Sequence, residues 1–492
     1  MTRIRFTKSA TSLLKGVDAL QIVAPKARFE DGAFLDMFPE EVMRLALGLA
    51  EDLEPGMVGA AAGTLTGVSP RKLAIGVLPD RVSRHNSPAR SEAVRRVVAQ
   101  SSTGRSGSSA ILLALDDPEH YAPAVVGIGK ALPLYEKPQR KGESKLTAPK
   151  LNIAAVGPDD ELLTVPRPLA PLLESQREAA RLVETPPTEL DPKGFQAEMT
   201  KLLRGLPNVT RKSIVGDALL RAGLGGIHAV GRCAVSEPRM IVLTHTPKGR
   251  STKGPHIALV GKGVTYDTGG LSLKIQGSMV GMKTDMGGAA AVLGAFLGLV
   301  KGGSPCKVSA ILCLAENAIG PLAYKNDDVI QMHSGYHVEI NNTDAEGRLC
   351  LGDGVSYAAR TLKADIVVDI ATLTGAQGVA TGHLHGALLS DDEELERVFV
   401  EAGRRSGDLV HPLPFAPEFH REEFKSQVAH MRNSVANRAN AQVSCAAEFV
   451  RWHLDGTKAR WAHVDMAYPS KRGGRATGFG VALLAEAVRS LG

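Results

Sequence analysis

The sequence has few aromatic residues and few cysteines. Phe, Trp and Tyr together make up 4% of the 492 residues, so we expect a core built mostly from Ala, Val and Leu. The five cysteines show no CxxC spacing and are odd in number, which argues against a disulfide framework and indicates buried thiols in a reducing, cytoplasmic compartment. Neither a membrane-spanning apolar run nor the apolar core of a secretory signal is evident, and we expect no membrane partner.

Concentrated charge is also absent. The formal net charge is +6 and charged residues make up 22% of the chain, without the basic stripe that a nucleic-acid-binding protein usually carries. The densest basic run, between Lys137 and Lys150, is typical of a solvated loop, with phosphate binding as the alternative. At the basic, acid-free N-terminus, Ile4 and Phe6 alternate as in a first strand, which we prefer to a transit peptide. We therefore expect no nucleic-acid partner.

Several common catalytic motifs are missing. Gly261-Lys262-Gly263 has Tyr266 where a dinucleotide-binding loop needs its third glycine, and the chain has no Walker A loop and no HExxH. No serine lies in a GxSxG elbow, so a serine-hydrolase hypothesis has no nucleophile. His383 and His385 have a spacing that could bind a metal, but without acids nearby a structural role is the better interpretation.

Apolar runs typical of buried strands alternate with helical patterns along most of the chain. They predict an α/β fold with a smaller N-terminal α/β domain (1–165), a linking helix (166–186) and a larger C-terminal catalytic domain (187–492), whose mostly parallel central sheet is flanked by helices. The predicted strands are Ala19–Val23, Lys72–Val77, Ser109–Leu115, Leu151–Val156, Arg239–Thr244, His256–Val260, Lys307–Leu314, Asp365–Ala371 and Trp461–Met466. The predicted helices are Glu41–Leu53, Ser91–Ala99, Leu172–Val183, Pro192–Leu203, Ala289–Val300, Gly352–Thr361 and Ala446–His453.

The first candidate site lies in the stretch Asn341–Leu349. In an extended segment side chains alternate between faces, so Asp344, Glu346 and Arg348 would point the same way. Two neighbouring carboxylates repel each other unless a proton, a basic side chain or a metal lies between them. Gly347 would let the backbone turn sharply or approach a ligand closely. A solvated turn is the alternative for such a pattern taken alone.

A second candidate stretch, Val260–Ala290, joins a predicted buried strand to a predicted buried helix through many glycines. Its charged candidates are Lys262, Asp267, Lys274 and Asp285. Open α/β sheets bind their ligands in such connections. Taken singly, Asp285 could be a helix N-cap and the two lysines could be surface residues. Together, these residues favour a functional site.

The two stretches supply the chemistry of a two-metal hydrolase. Such an enzyme needs carboxylates that hold and bridge both ions, and oxygen-rich ligand sets suit zinc, manganese or magnesium. It also needs positive groups that are not ligands, because these stabilise the oxyanion. Lys274 and Arg348 could supply that charge. The four carboxylates that could hold the ions are Asp267, Asp285, Asp344 and Glu346.

Three segments resemble the signature segments of the leucyl aminopeptidases, a family of two-zinc, hexameric peptidases. They are VGKGVTYDTGGLSLK (260–274), MKTDMGGAA (282–290) and NTDAEGRL (342–349), in the same order and with fitting intervals. Further matches are VETPP (183–187) and ATLTG (371–375) and, to the branch called probable aminopeptidase in animals, RVSRHNSP (81–88), LAENAIGP (314–321), SGDLVHPL (406–413) and RATGFGVALL (475–484). The resemblance covers most of the chain and is strongest from about residue 180 onward.

The resemblance implies a role for each candidate residue. Asp267 and Glu346 would be shared between two Zn²⁺ or Mn²⁺ ions per chain, and the backbone carbonyl of Asp344 would add a contact. Lys274 would contact the substrate carbonyl, and Arg348 would hold a bicarbonate ion that acts as general base. The implied metal ligands are Lys262, Asp267, Asp285, Asp344 and Glu346. The residues implied to line the pocket for the first side chain are Met282, Thr372, Leu373, Thr374 and Gly375.

The resemblance also implies an activity and an assembly. The implied protein is a cytoplasmic homohexamer, a dimer of trimers, that releases Leu-type N-terminal residues from peptides by attack of metal-activated water. Tyr266, Thr268 and Thr284 stand where many members carry Phe, Ser and Tyr, which bears on side-chain preference and removes no ligand. Two alternatives remain: a family member that acts mainly as a binding or structural hexamer, and a dipeptidase for Cys-Gly or similar peptides.

Overall fold

The computed structural model describes residues 2–101, 103–105, 107–137, 149–247 and 254–492. The chain forms two compact units. The first comprises Met1–Leu173 together with Gly403–Gly407, and the second comprises Glu174–Ala402 together with Asp408–Gly492. The basic run that we predict to be a solvated loop, between Lys137 and Lys150, lies mostly outside the described residues.

The first unit is organised around a six-stranded sheet in its described residues. The strands are β1 (Arg3–Phe6), β2 (Ala19–Pro25), β3 (Ala60–Leu65), β4 (Lys72–Leu78), β5 (Ser108–Ala114) and β6 (Lys150–Val156). Their order is β1-β6-β5-β2-β4-β3, and all neighbours are parallel except the edge pair β4 and β3. The first strand predicted from Ile4 and Phe6 is confirmed as β1.

Helices cover both faces of this sheet. Val42 of α3 packs in one apolar cluster with Ile22 of β2, whereas Val94 of α4 and Ile128 of α5 pack in another with Val23. Because Ile22 and Val23 are successive strand residues, their side chains point to opposite faces, and both faces are buried. The helices are α1 (Ala10–Leu14), α2 (Lys26–Asp31), α3 (Glu40–Asp52), α4 (Ser91–Gln100) and α5 (Tyr121–Ala131), with 3-10 turns at Ala33–Met37 and Pro118–His120.

The second unit is organised around an eight-stranded sheet in its described residues, beside a three-stranded and a two-stranded sheet. The large sheet has the order β15-β14-β17-β13-β9-β10-β8-β7, and its central strands β17, β13, β9 and β10 are parallel. The predicted α/β class with a mostly parallel central sheet is confirmed. The strands are β7 (Val209–Val215), β8 (Arg239–His245), β9 (Ile257–Asp267), β10 (Val308–Asn317), β11 (Val329–Gln331), β12 (His337–Glu339), β13 (Ile366–Ala371), β14 (Gly386–Ser390), β15 (Val410–Pro412), β16 (Met431–Arg432), β17 (Arg460–Asp465), β18 (Lys471–Arg472) and β19 (Arg475–Ala476).

Each helix that the sequence predicts from residue 172 onward is present in the structure, although the ends of the helices differ from the predicted ones. The helix predicted from Gly352 begins earlier, at Gly347, and the helix predicted from Ala446 begins at Gln442. The helices are α6 (Leu169–Glu184), α7 (Pro192–Leu202), α8 (Asp217–Arg221), α9 (Gly225–Gly231), α10 (Gly287–Gly302), α11 (Gly347–Arg360), α12 (Gln377–Ala380), α13 (Glu393–Ser406), α14 (Pro417–His420), α15 (Gln442–Trp452) and α16 (Val481–Leu491), with 3-10 turns at Met282–Thr284 and Arg421–Phe424.

Glycines let helices approach both faces of the central strand β9. A Cβ atom at Gly261 would lie 2.6 Å from the Cα of Ala289 in α10. On the other face, a Cβ atom at Gly354 of α11 would lie 2.6 Å from Cγ1 of Val260. Both distances are too short for real atoms, so these positions require glycine. Strand β9 is therefore enclosed from both sides, which holds its ends in fixed positions.

Both tryptophans of the chain lie in the second unit. Trp461 of β17 is fully buried, and its Nε1 donates to Oδ2 of Asp369 on β13 at 2.7 Å. The other oxygen of Asp369 bonds to Nδ1 of His463, which is also buried. These two partners satisfy a carboxylate whose burial would otherwise be unfavourable. Trp452, at the end of α15, packs against Arg421, whose guanidinium carbon lies 4.6 Å from the ring centre.

One described segment, Met282–Gly302, is long and apolar enough to cross a membrane by length and composition alone. Its uncharged part spans Met286–Val300, which is why inspection of the sequence found no run of sufficient length. The most apolar window of this segment is 94% buried inside the protein. It is therefore a core helix of the second unit, because a helix that is apolar all round can also be buried within a large domain.

We predict that Gly261→Ala lowers the free energy of unfolding by about 1–3 kcal/mol, because the added methyl group would overlap Ala289 and push α10 away from β9. Thermal unfolding followed by circular dichroism should show a lower Tm. Gly48→Ala in α3 is the control: nothing lies within 4 Å of a Cβ added there, and alanine is the better helix former. An unchanged Tm for Gly261→Ala would show that this contact tolerates a methyl group.

Candidate metal centre and active site

The candidate residues gather at one edge of the large sheet. The parallel strands β9, β10, β13 and β17 end side by side, at Asp267, Asn317, Ala371 and Asp465. In open α/β sheets, ligands bind outside the carboxyl ends of the strands. The connections that follow these strands therefore form the site.

The segment around Asp344 is not extended, so the predicted alternation of its side chains is wrong. It forms a turn in which the N–H of Asp344 donates to the side-chain oxygen of Asn342 at 2.9 Å, and helix α11 begins soon afterwards at Gly347. The physical reason is local, because Asn and Asp side chains bond nearby backbone groups and favour turns. Asp344, Glu346 and Arg348 nevertheless line one pocket.

Lys262 forms one end of a charge cluster. Its Nζ lies 2.8 Å from Asp285 and 2.9 Å from Oε1 of Glu346. It also donates to the carbonyl oxygen of Thr372 at 3.0 Å, and the hydroxyl of Thr372 donates to Asp285 at 2.9 Å. Asp285 does not cap helix α10, whose N-cap residue is Met286, so the capping alternative is wrong. Asp285 instead belongs to the charge cluster.

Lys274 forms the other end of the charge cluster. Its Nζ lies 2.8 Å from Oδ2 of Asp267 and donates to Oδ1 of Asp344. Oxygens of Asp267, Asp344 and Glu346 all lie within 4.8 Å of one another. Because Glu346 also contacts Lys262, it belongs to both ends of the cluster.

Negative charge is in excess in this cluster: it raises the pKa of both lysines and adds to the effect of burial, which raises the pKa of Asp285, Asp344 and Glu346. Burial alone would lower the pKa of Lys262, but the charges of Asp285 and Glu346 outweigh it and hold the pKa above its ordinary value. Burial raises the pKa of Asp285 and of Glu346, and Lys262 offsets only part of this increase. Additional positive charge would therefore be favourable here.

Two glycines give the lysines room to reach the carboxylates. A Cβ atom at Gly347 would lie 2.5 Å from Cε of Lys262. Gly269 has a φ of +84°, and a Cβ atom there would lie 2.9 Å from the backbone nitrogen of Lys274 and 3.0 Å from Oδ1 of Asp344. Any larger residue at either position would displace a member of the charge cluster.

Arg348, in the first turn of α11, is buried with 6% of its surface exposed. Its Nε and Nη1 atoms have no hydrogen-bond partner among the residues that the structure describes. The ring centre of Phe424 lies 5.9 Å from its guanidinium carbon. Burial lowers the pKa of Arg348 to about 10, although the charge of Glu346 opposes this shift. A buried guanidinium with unused donors is suited to binding an anion.

The structure brings all the predicted site residues into one pocket of about 350 Å³. Asp465 fixes the wall that follows β13: it accepts the N–H of Leu373 at 3.1 Å and both the N–H and the hydroxyl of Thr374, at 3.0 and 2.7 Å. The residues predicted to bind the first side chain line this pocket; they are Met282, Thr372, Leu373, Thr374 and Gly375. This wall is therefore held by a fully buried carboxylate.

Sequence reasoning missed the residues that hold the acids in place. Asn317 donates from Nδ2 to Asp267 at 2.9 Å and to the carbonyl oxygen of Thr343 at 3.1 Å. The buried hydroxyl of Tyr324 donates to the same carbonyl at 2.6 Å, and Asn433 holds the following turn through its side-chain amide. Asn317 follows a predicted strand and lies in the matched segment LAENAIGP (314–321), which did not reveal its role, whereas Tyr324 and Asn433 carry no signal in the sequence.

The donor set fits divalent metal ions. Three carboxylates offer oxygens within 4.8 Å of one another, and hard cations and zinc accept such ligands. The excess of negative charge would stabilise a cation in the same place. A pocket of this kind at the carboxyl edge of an α/β sheet places the protein among the metal-dependent hydrolases.

Comparison with known proteins identifies the family. Residues 177–485 match the description "Cytosol aminopeptidase family, catalytic domain", and residues 60–140 match "M17 aminopeptidase N-terminal domain 2". The chain belongs to the cytosol aminopeptidase family, also called M17. It is a metallo-aminopeptidase, an exopeptidase that releases N-terminal residues, and the family is metal-dependent.

Individual relatives agree with this assignment. The chain is 46% identical over 418 residues to "Probable aminopeptidase NPEPL1" of Homo sapiens, covering 83% of this chain and 78% of the relative. The structure of leucyl aminopeptidase from Trypanosoma brucei in complex with actinonin matches with a TM-score of 0.89 and 36% identity, covering 99% of this chain and 96% of that one. The bottromycin maturation enzyme BotP in complex with Mn matches with a TM-score of 0.78 and 28% identity, covering 96% and 99%. The resemblance to the leucyl aminopeptidases is confirmed.

We predict that the two lysines of the charge cluster respond differently to substitution. A lysine that is neutral at pH 7, as a metal ligand must be, costs about 5 kcal/mol unless cations compensate. The ligand role that the resemblance implies for Lys262 therefore predicts that Lys262→Ala lowers the occupancy of one metal position and that excess metal partly restores it. The role of charged oxyanion donor that the resemblance implies for Lys274 predicts that Lys274→Ala keeps its metal and lowers kcat by about 10²–10³-fold.

The measurement is metal content by elemental analysis beside kcat. Lys301→Ala, which removes a lysine of α10 paired with Glu174 outside the pocket, is the control and should change neither quantity. Metal loss from Lys274→Ala, with full metal in Lys262→Ala, would reverse the two roles.

Proposed function

We propose that the protein releases N-terminal residues from peptides with two divalent ions bound per chain. The observation that carries the proposal is the charge cluster, in which three carboxylates offer oxygens within 4.8 Å of one another. We assign Asp267 and Glu346 as the shared ligands, because Glu346 contacts both ends of the cluster and Asp267 lies in the same group. The proposed ligands are Lys262, Asp267, Asp285, Asp344, with its backbone carbonyl, and Glu346.

The bound ions and Lys274 have different proposed roles in the reaction. The two ions held by these five residues would lower the pKa of a coordinated water from about 15.7 toward about 7, and would supply positive charge for the scissile carbonyl and a binding position for the free α-amine. Lys274 donates from its ammonium group to the oxyanion that forms on this carbonyl. Burial alone would lower the pKa of Lys274, but the charges of Asp267 and Glu346 hold it above its ordinary value, so the ammonium stays charged.

Arg348 is assigned to a bicarbonate ion, which serves as the general base for the attacking water. Two observations support this role: the guanidinium is buried, and its Nε and Nη1 donors are unused in the described residues. A planar guanidinium offers two parallel donors to a carboxylate-like anion. Arg348 thus holds the proton acceptor without itself losing a proton.

The wall formed by Met282 and Thr372–Gly375 is proposed to bind the first side chain of the substrate. It combines an unbranched thioether with short side chains, which suits apolar residues of the Leu type with broad tolerance. The α-amine then lies near Lys262 and Asp285, because Lys262 bonds to the carbonyl of Thr372. This polarity places the leaving part of the peptide toward Asp344.

The proposal also covers the identity of the metal, the cellular location and the oligomeric state. Zn²⁺ or Mn²⁺ would occupy the site, and the structure of BotP in complex with Mn supports Mn²⁺. The family description as cytosol aminopeptidase supports a cytoplasmic location.

We also propose a homohexamer, a dimer of trimers whose active sites face an inner cavity. The proposed domain division is 1–165, 166–186 and 187–492.

We predict that acetylation of the substrate amine abolishes cleavage, because the acetylated nitrogen can no longer serve as a ligand. Leu-Gly-Gly and acetyl-Leu-Gly-Gly should be compared by release of the first residue, with and without prior chelation of the enzyme. The free peptide should be cut only by the metal-loaded enzyme, and the acetylated peptide by neither. Comparable turnover of both peptides would show that the polarity of the site is misassigned.

We predict a particle mass of about six times the 52.0 kDa of one chain by light scattering at micromolar concentration. Because an inner cavity would admit only short or unfolded chains, a folded protein with a free Leu N-terminus should resist cleavage while its denatured form is cut. A monomer mass, or equal cleavage of the folded and denatured forms, would contradict this assembly.

A further inference from the structure

Two basic side chains of the active-site pocket have no acidic partner among the residues that the structure describes. Each of the four pocket acids contacts Lys262 or Lys274. Arg438 and Lys471 are exposed and line the same pocket, and no hydrogen bond or ion pair of their side chains is found within the described ranges. Since Arg348 is buried and assigned to its own anion, positive charge remains available for the substrate.

The contacts of the segment before Arg438 assign this residue to the end of the pocket that is proposed to face the leaving part of the peptide. The wall Thr372–Gly375 marks the opposite end, where the first side chain is proposed to bind. Asp344 marks the leaving end, and its N–H bonds to Asn342. The carbonyl of Asn342 accepts a hydrogen bond of 2.6 Å from Asn433, five residues before Arg438 in the chain. Arg438 therefore belongs to the leaving-side wall.

The segment that carries Arg438 is held in place by Glu423. The N–H of Ala436 donates to the carbonyl oxygen of Glu423 at 3.0 Å, and the N–H of Asn437 donates to its carboxylate at 2.8 Å. The side-chain amide of Asn440 donates to the second carboxylate oxygen at 2.7 Å. Both oxygens are thus engaged by neutral donors, and the charge of Arg438 is not neutralised there. Helix α15 begins four residues later without a side-chain cap, which adds positive potential.

We infer that Arg438 binds a carboxylate on the second residue of the substrate, the first residue of the leaving group. This inference rests on the proposed function, because that function sets which end of the pocket faces the leaving group. The carboxylate is either the C-terminus of a dipeptide or the side chain of an acidic second residue. A guanidinium binds both through two parallel N–H donors. The enzyme is then a peptidase with a preference for dipeptides or for peptides with Asp or Glu in second position.

The test compares kcat/KM within two substrate pairs. Leu-Gly carries a terminal carboxylate that Leu-Gly amide lacks, and Leu-Asp amide carries a side-chain carboxylate that Leu-Asn amide lacks. The wild-type enzyme should prefer the anionic member of at least one pair by about two- to fivefold, the size expected for an exposed charged pair. Arg438→Gln should reduce this ratio to about one, and Arg438→Lys should keep part of it.

A control variant outside the pocket and the salt dependence of the ratio test whether the charge of Arg438 is responsible. Arg397→Gln removes an exposed arginine of α13 outside the pocket and should keep the full ratio. Raising the salt concentration should lower the ratio of the wild-type enzyme without any substitution, because salt screens exposed charges.

The results of the substrate comparison distinguish the two possible carboxylates. A preference confined to Leu-Gly identifies the C-terminal carboxylate as the ligand, and one confined to Leu-Asp amide identifies the acidic side chain. Equal turnover within both pairs, a ratio that survives Arg438→Gln, or a ratio lost only in Lys471→Gln would overturn the proposal. Failure of the proposed function would look different, since the metal-loaded wild-type enzyme would then hydrolyse none of the four peptides.

Discussion

Four carboxylates in one small pocket repel one another, and this repulsion is the constraint on which the second unit depends. Lys262 and Lys274 each contact two of the acids, so positive charge is interleaved with negative charge. Long side chains can reach these positions only because glycines at 269 and 347 leave the space. The close approach of lysines and acids therefore depends on two backbone positions that carry no side chain.

The central sheet fixes the positions of the residues around this charge cluster. Asp267 ends β9, its hydrogen-bond partner Asn317 ends β10 and Asp465 ends β17, so the relative positions of these residues are set by strand pairing and not by the flexibility of one loop. Close contacts on both faces of β9 prevent it from shifting relative to α10 and α11. At the end of β17, which is separated from β9 by β13, Asp465 holds the pocket wall through three hydrogen bonds. Preorganisation of this kind is what electrostatic catalysis requires.

Apolar runs predicted the central strands well, because β9, β10, β13 and β17 are buried on both faces and read as continuous hydrophobic stretches. Edge strand β3, with the sequence AAAGTL, escaped prediction since alanine and glycine are weak strand formers. At the site, local signature segments were enough to indicate the acids and lysines. The conformation around Asp344 and the contacts of Asn317, Tyr324 and Asn433 were not predictable, because they join segments far apart in the chain.

The scarcity of tryptophan gives the second unit its own spectroscopic signature. Trp461 of β17 is fully buried and bonds to Asp369 of β13, and Trp452 packs against Arg421, whereas the aromatic side chains of the first unit are Phe and Tyr. Fluorescence excited at the long-wavelength edge of indole absorption therefore arises from the second unit alone. Its emission maximum reports the packing around the catalytic sheet, while far-ultraviolet dichroism reports both units, so the melting of each can be resolved in a single sample.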